Sequence, residues 1–233
     1  MNDLRPDIPA LDLAALPTVA GAALDVLAVE MELAELPHLE GDDQVVTDAT
    51  DRQILDARRV TAAAECIGGL LPGADQAIHA VISGRFALAD LIPAVLELAK
   101  PATIAELRIT TLGFSKPNIA MLCQLLDGGS IDRLTLVCSH YFKATSGAIH
   151  EYATEELSRR PHCRFLSIRN HAKLLLMRLT DGRMLTVESS ANLRSCKNIE
   201  TLTVIGSPAV HQFHARWIDE LVAKAERTEH ARP

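Results

Sequence analysis

Across residues 77–206 of the 233-residue chain, short apolar runs alternate with longer stretches in which apolar residues recur every three or four positions. The first pattern is that of strands, the second that of amphipathic helices. AIHAVIS (77–83), closed by Gly84, and IAELRITTLG (104–113) read as strands, with ALADLIPAVLELA (87–99) between them as a helix. KPNIAMLCQLLDGG (116–129) carries Pro in its first turn and Gly at its end, as helices do. IDRLTLVCS (131–139) is strand-like, ATSGAIHEYATEELSRR (144–160) helical, and CRFLSIR (163–169) strand-like again. AKLLLMRL (172–179) and RMLTVES (183–189) flank Thr180-Asp181-Gly182, a strong hairpin signal. ETLTVIG (200–206) adds a strand, and SPAVHQFHARWIDELVAKAE (207–226) closes the pattern as a helix with Ser207 as N-cap and Pro208 at its first position. Strands separated by helices imply the α/β class and an α/β/α sandwich on a mostly parallel sheet, which the hairpin makes mixed.

Upstream the pattern breaks. Pro6, Pro9, Pro17, Pro37 and the string Glu40-Gly41-Asp42-Asp43 predict a flexible N-terminal arm over residues 1–50, in which ALDVLAVEMELAEL (23–36) has helical propensity. TDATDRQILDARRVTAAAECIGGLL predicts a helix over about 51–67, stopped by Gly68-Gly69, within a helical extension spanning 51–75. The main domain is then 76–226, followed by a tail at 227–233. With 48% hydrophobic and 23% charged residues the chain has material for one sizeable core. A formal net charge of −7 leaves no overall basic footprint, so a polyanion would need a local positive patch. The five cysteines are scattered and lack C-x-x-C spacing, which predicts reduced thiols and a cytoplasmic setting. The start of the chain lacks a basic stretch followed by a long apolar one, and the expectation is a soluble protein without a membrane partner.

The chemistry concentrates in RNHAKLLLMRLTDGRMLTVESSANLRSCKNIE, residues 169–200. By period-two alternation His171 and Lys173 share one face at a strand start. An antiparallel hairpin returns Ser189, Ser190 and Asn192 to the level of His171. An imidazole beside an ammonium, with hydroxyl and amide groups opposite, suits a phosphate: the ring can attack phosphorus or move a proton, and the other groups stabilise phosphoryl oxygens. Taken singly, each residue is better explained as a strand cap or a loop group satisfying the backbone.

HAK at 171–173, SSAN at 189–192 and NIE at 198–200 together resemble the HxK…GSxN…E signature of the phospholipase D superfamily. The resemblance extends upstream through the strand–helix order and RITTLGFS, covering about residues 76–225. It implies a phospholipase D-like α/β/α fold and a metal-independent phosphodiesterase without a cofactor. By resemblance His171 would be the nucleophile that forms a phosphohistidine, and Lys173 and Asn192 would bind phosphate oxygens. Ser190 would hydrogen-bond near the His or the phosphate, and Glu200 would orient a His imidazole. The family joins two motifs at one site, and this chain has one, which implies a homodimer. Two positions depart from the pattern: Arg178 stands where the family carries Asp, and Ser189 stands for the first Gly of GSxN. A nucleic-acid phosphodiester is the expected substrate, the alternative being a catalytically impaired module of the same fold that binds DNA or a protein.

Other groups extend the candidate site. Ser189 at the hairpin end, Lys116 in LGFSKPN, His140 in SHYFK and Arg194 are candidate substrate-binding residues, and Tyr141 and Lys143 could stack on or pair with a nucleotide. Arg164, Arg169, Arg178, Arg183, Arg194 and Lys197 cluster in sequence around the motif, which fits a basic cleft or a scatter of surface arginines. His211 and His214 have metal-ligand spacing on the last helix, but no further ligand is identifiable and packing beside Phe213 and Trp217 is the favoured reading.

Overall fold

The computed structural model describes residues 48–194 and 198–230. The arm up to residue 47, with its helix at 23–36, lies outside the described residues, as do Cys196 and Lys197. The described elements are α1 (Asp48–Cys66), β1 (Ala77–Ile82), a 3-10 turn (Leu88–Asp90) leading into α2 (Leu91–Ala99), β2 (Ile104–Thr110), α3 (Lys116–Asp127) and β3 (Leu134–Ser139). They continue through α4 (His140–Thr145), α5 (Gly147–Ser158), β4 (Cys163–Ile168), β5 (Leu174–Leu179), β6 (Met184–Ser189), β7 (Glu200–Ile205) and α6 (Pro208–His230). The helix expected over 144–160 is two helices, and the last helix runs past 226 to His230.

All seven strands form one sheet in the order β1-β7-β6-β5-β2-β3-β4. The sheet is mixed, as the hairpin implied, but mostly antiparallel, which corrects the expectation of a mostly parallel one. Parallel pairing is confined to β2–β3 and β3–β4, while β1–β7, β7–β6, β6–β5 and β5–β2 are antiparallel. The reason lies in the connections. A parallel neighbour needs a long crossover, and after β4 the chain turns back through loops and a hairpin with no helix until α6.

Strand alternation sorts the side chains into two layers. Leu107 and Ile109 of β2 and Leu175, Met177 and Leu179 of β5 face the larger core, where they meet Ala63 of α1, Ile67, Leu91 and Ile92 of α2, Ile119 of α3 and Leu157 of α5. On the opposite face Val137, Leu174 and Leu176 are covered by Ile218 and Val222 of α6. Helices therefore lie on both faces, the α/β/α sandwich the pattern predicted. Each of the buried Leu, Ile, Val and Met side chains among them contributes on the order of 1.5–3 kcal/mol of transfer free energy.

The α6 face is also polar toward its centre. Arg108 makes a bidentate pair with Asp219 at 2.9 and 2.9 Å and lies 2.9 Å from Glu106, which Arg178 approaches at 3.5 Å. These carboxylates raise the Arg108 pKa against the opposing effect of burial.

Candidate active site

The HAK segment sits where the β4–β5 loop enters the sheet beside the C-terminal end of β2. An Asn immediately before the His sets its conformation. Asn170 Oδ1 accepts from the Ala172 N–H at 3.0 Å, the local turn that Asn favours. Its Nδ2 donates to the carbonyls of Thr111 at 3.2 Å and Ala172 at 3.4 Å. Thr110 Oγ1 donates to the same Ala172 carbonyl at 3.2 Å. The segment is thereby tied to β2, and the exposed imidazole of His171 projects from a fixed backbone.

Lys173 lies beside it. Its Nζ is 3.1 Å from His171 Nδ1 and donates to the His171 carbonyl at 3.0 Å. Both lie just ahead of β5, which begins at Leu174, so the segment turned by Asn170 brings them together and not the strand alternation the sequence implied. Burial lowers the Lys173 pKa, and the Glu200 carboxylate acts in the opposite direction. An ammonium can only donate, so a hydrogen bond from it to Nδ1 requires the neutral imidazole tautomer that carries its proton on Nε2.

The hairpin delivers the second half of the signature. Gly182, at φ +92, occupies the left-handed position of a three-residue turn, closed by Gly182 N–H donating to the Leu179 carbonyl at 3.1 Å. β6 runs back along β5, and the Ser189 N–H donates to the Lys173 carbonyl at 3.2 Å. Ser189 itself faces the backbone: its hydroxyl donates to the Thr201 carbonyl at 2.7 Å and accepts from the Ala191 N–H at 3.0 Å. Ser190 Oγ donates to Glu200 Oε2 in a short contact and accepts from the Thr201 N–H at 2.9 Å. Glu200, at the start of β7, thus pairs with Ser190, and among the described residues it makes no hydrogen bond to His171. Asn192 Oδ1 accepts from the Leu112 N–H at 3.2 Å, which leaves its NH2 without a partner among the described residues. The next residue is fixed as well, Leu193 N–H donating to Thr111 Oγ1 at 3.2 Å.

His171 forms one wall of an open cleft of about 550 Å³, whose other sides are Leu112, His140, Tyr141, Arg169 and Asn170. Ser139 joins the strand ends beneath it, donating from Oγ to the Leu112 carbonyl and accepting from the Phe142 N–H, both at 2.9 Å. His140 Nδ1 lies 3.4 Å from Ser167 Oγ.

The remaining candidates lie elsewhere. Lys116, at the start of α3, holds its ammonium 5.2 Å above the Tyr152 ring and is absent from the cleft lining. Arg194 is exposed and borders a small crevice with Glu200, Asn198 and Ile82. The run of basic residues is dispersed: Arg183 pairs with Asp181 at 2.7 Å and Arg178 turns toward Glu106, so Arg169 and Arg194 are the arginines of that run found at the cleft and the adjoining crevice. Within β5, Arg178 shares the parity of Leu174 and Leu176, which face α6. Arg178 belongs to the α6 layer.

The sequence reading passed over Asn170 and Thr111. Asn170 had a signal, since an Asn one position before a strand-entering His is a turn former. Thr111 acts through a contact with Leu193 far away in sequence, which no local pattern carries. The final-helix histidines are packing and pairing groups: His214 Nε2 lies 2.9 Å from Glu188 and its Nδ1 accepts from Trp217 Nε1 at 3.0 Å. Among the described residues no group of three or more His, Cys, Asp or Glu side chains is arranged to hold a metal. The thiols of Cys66, Cys123, Cys138 and Cys163 are free, and burial pushes those of Cys138 and Cys163 up to about 11. No helix among the described residues is long and apolar enough to cross a membrane.

No family model matches the sequence, and no curated protein matches it. Among solved structures the chain is similar to polyphosphate kinase from Porphyromonas gingivalis, at 13% identity and a TM-score of 0.43. The likeness covers 61% of this chain and 25% of the kinase, so the chain spans about a quarter of that protein's length.

Proposed function

We propose that the chain is a phospholipase D-like phosphodiesterase that acts on nucleic acid through a phosphohistidine, in an active site completed by a second copy of itself. The observation that carries this reading is the Lys173 ammonium 3.1 Å from Nδ1 of His171, which lines an open cleft, with Asn192 of the returning hairpin arm held at Leu112 of the same lining and its NH2 without a partner among the described residues. This set offers one nucleophile and two kinds of donor for a phosphoryl group.

The resting hydrogen bond suggests how the nucleophile is released. With Nδ1 accepting from Lys173, the proton sits on Nε2, and Nε2 has no lone pair to offer. A phosphate oxygen is a better acceptor for the ammonium than a neutral imidazole. When substrate draws Lys173 away, Nδ1 is free to hold the proton and the Nε2 lone pair becomes available. Nε2 then attacks phosphorus, the P–N bond forms, and the P–O bond to the leaving group breaks. The leaving oxygen takes a proton from a general acid. In the second step that same group, now a base, deprotonates water, which attacks phosphorus and breaks the P–N bond.

A single chain offers one such histidine. We assign the acid–base role to His171 of a second copy across a two-fold axis, which makes both half-sites alike. Glu200, hydrogen-bonded to Ser190, sets the position of the SSAN loop and provides a carboxylate near the ammonium.

The test is hydrolysis of bis-p-nitrophenyl phosphate in EDTA. The wild type turns over, and His171→Ala lowers the rate by roughly a hundredfold or more. A wild type without turnover, or a His171→Ala chain as active as wild type, overturns the proposal.

A further inference from the structure

The cleft beside His171 is larger than a phosphodiester requires. At about 550 Å³ it lies in the range of sites that take a whole small organic group. Its outer side is formed by Tyr141, whose side chain is 68% exposed, an unusual state for a large aromatic ring. The backbone that carries the ring is nevertheless anchored. Tyr141 is the second residue of α4, whose N-cap Ser139 is hydrogen-bonded to the end of β2. The adjacent Phe142 is buried, with its ring 4.6 Å from that of Phe114. It packs so closely on Gly113 that an added Cβ there would lie 2.5 Å from the Phe142 ring. Gly113 is thus the position at which the β2 loop passes under α4.

The chemistry of the lining selects among occupants. Leu112 supplies an apolar surface, His140 and Arg169 supply donors, and no carboxylate lines the cleft among the described residues. Arg169 is exposed and has no carboxylate partner among the described residues. A cationic headgroup would meet the guanidinium with nothing to neutralise it. A flat ring carrying acceptor atoms would stack on Tyr141 and accept from Arg169 or His140, as bases do in single-strand binding sites.

We infer that this cleft is a subsite for an unpaired nucleobase next to the scissile phosphate, with Tyr141 as the stacking platform, and that the enzyme therefore selects single-stranded nucleic acid. The inference rests on the phosphodiesterase reading for the placement of the phosphate at His171. Bases within a duplex are stacked on each other and present only their edges. A ring standing at the side of a cleft reaches a base face only where the strand is unpaired.

Binding of a fluorescent oligothymidylate to the full chain, read by anisotropy with His171→Ala carried in every protein compared so that the strand is not cleaved, tests this independently of turnover, and hydrolysis is assayed separately with His171 in place. Tyr141→Ala is expected to weaken binding roughly 5- to 100-fold, the loss of one stacked base, and Tyr141→Phe to retain it. A duplex of the same length is expected to bind more weakly and to be indifferent to Tyr141. Equal binding with and without Tyr141→Ala overturns the inference, as does a Tyr141→Phe variant as weak as Tyr141→Ala. A duplex with the same affinity and the same Tyr141 dependence also overturns it. So does Tyr141-dependent binding to phosphatidylcholine vesicles in place of the oligonucleotide. Tyr141-dependent binding of single strands without any hydrolysis supports the subsite and overturns the phosphodiesterase reading alone.

Discussion

His211 is 3% exposed between α6 and the sheet, and its Nε2 has no partner among the described residues. Arg108 and Glu106 of β2, Arg178 of β5, Glu188 of β6, and His214 and Asp219 of α6 are the charged or titratable groups around it. Burial, reinforced by the Arg108 guanidinium, pushes its pKa down to about 4 from an ordinary value of 6.5. Between these values the unfolded chain binds a proton that the folded chain refuses, so stability rises with pH in that window. Acidification from 6.5 toward 4 therefore removes stability, up to about 3 kcal/mol for this one group. The expected result is that His211→Leu gains on wild type by about 2–3 kcal/mol as urea unfolding is moved from pH 7 to pH 4.5. Parallel pH profiles for the two chains would refute the assignment. The same residue shows how far the sequence could be read. Its spacing with His214 raised a metal site and favoured packing, and packing is what the structure holds. The salt-bridged surroundings of His211 come from β2 and β5, which a helix pattern does not contain.

At the level of elements, the hairpin from β5 to β6 was legible from the Asp181-Gly182 pair and the apolar runs around it. So was its role of returning SSAN to HAK. The neighbour of β5 was not, because the short connection after β4 says that the chain turns back but not that β5 inserts beside β2, beyond β3. Arg178 was a related difficulty: its place in the motif suggested the site, while parity along β5 sends it to the α6 layer, where it approaches Glu106 at 3.5 Å. The hairpin also allows stability to be changed without touching chemistry. Gly182 adopts φ +92 with open space around it, so a side chain there meets backbone strain alone. Gly182→Ala should cost about 1–2 kcal/mol in denaturant unfolding, with turnover of the folded protein unchanged. An unchanged unfolding midpoint would show that the turn adopts another conformation in solution.

For the whole molecule, a single chain places one imidazole, with an ammonium beside it, at a cleft open to solvent, and holds the Asn192 side chain against Leu112 of that cleft's lining. The proposed mechanism needs a second proton-transfer group, and the proposed second copy supplies it, so disabling one of two chains should disable the shared site. The decisive measurement is the turnover of a heterodimer purified through two different tags, one chain wild type and the other His171→Ala, in EDTA. Two half-sites sharing one phosphate predict a rate roughly a hundredfold or more below wild type, because the remaining histidine lacks its acid–base partner. A heterodimer that retains half the wild-type rate, or two tags that never co-purify while the wild type remains active, would contradict the account.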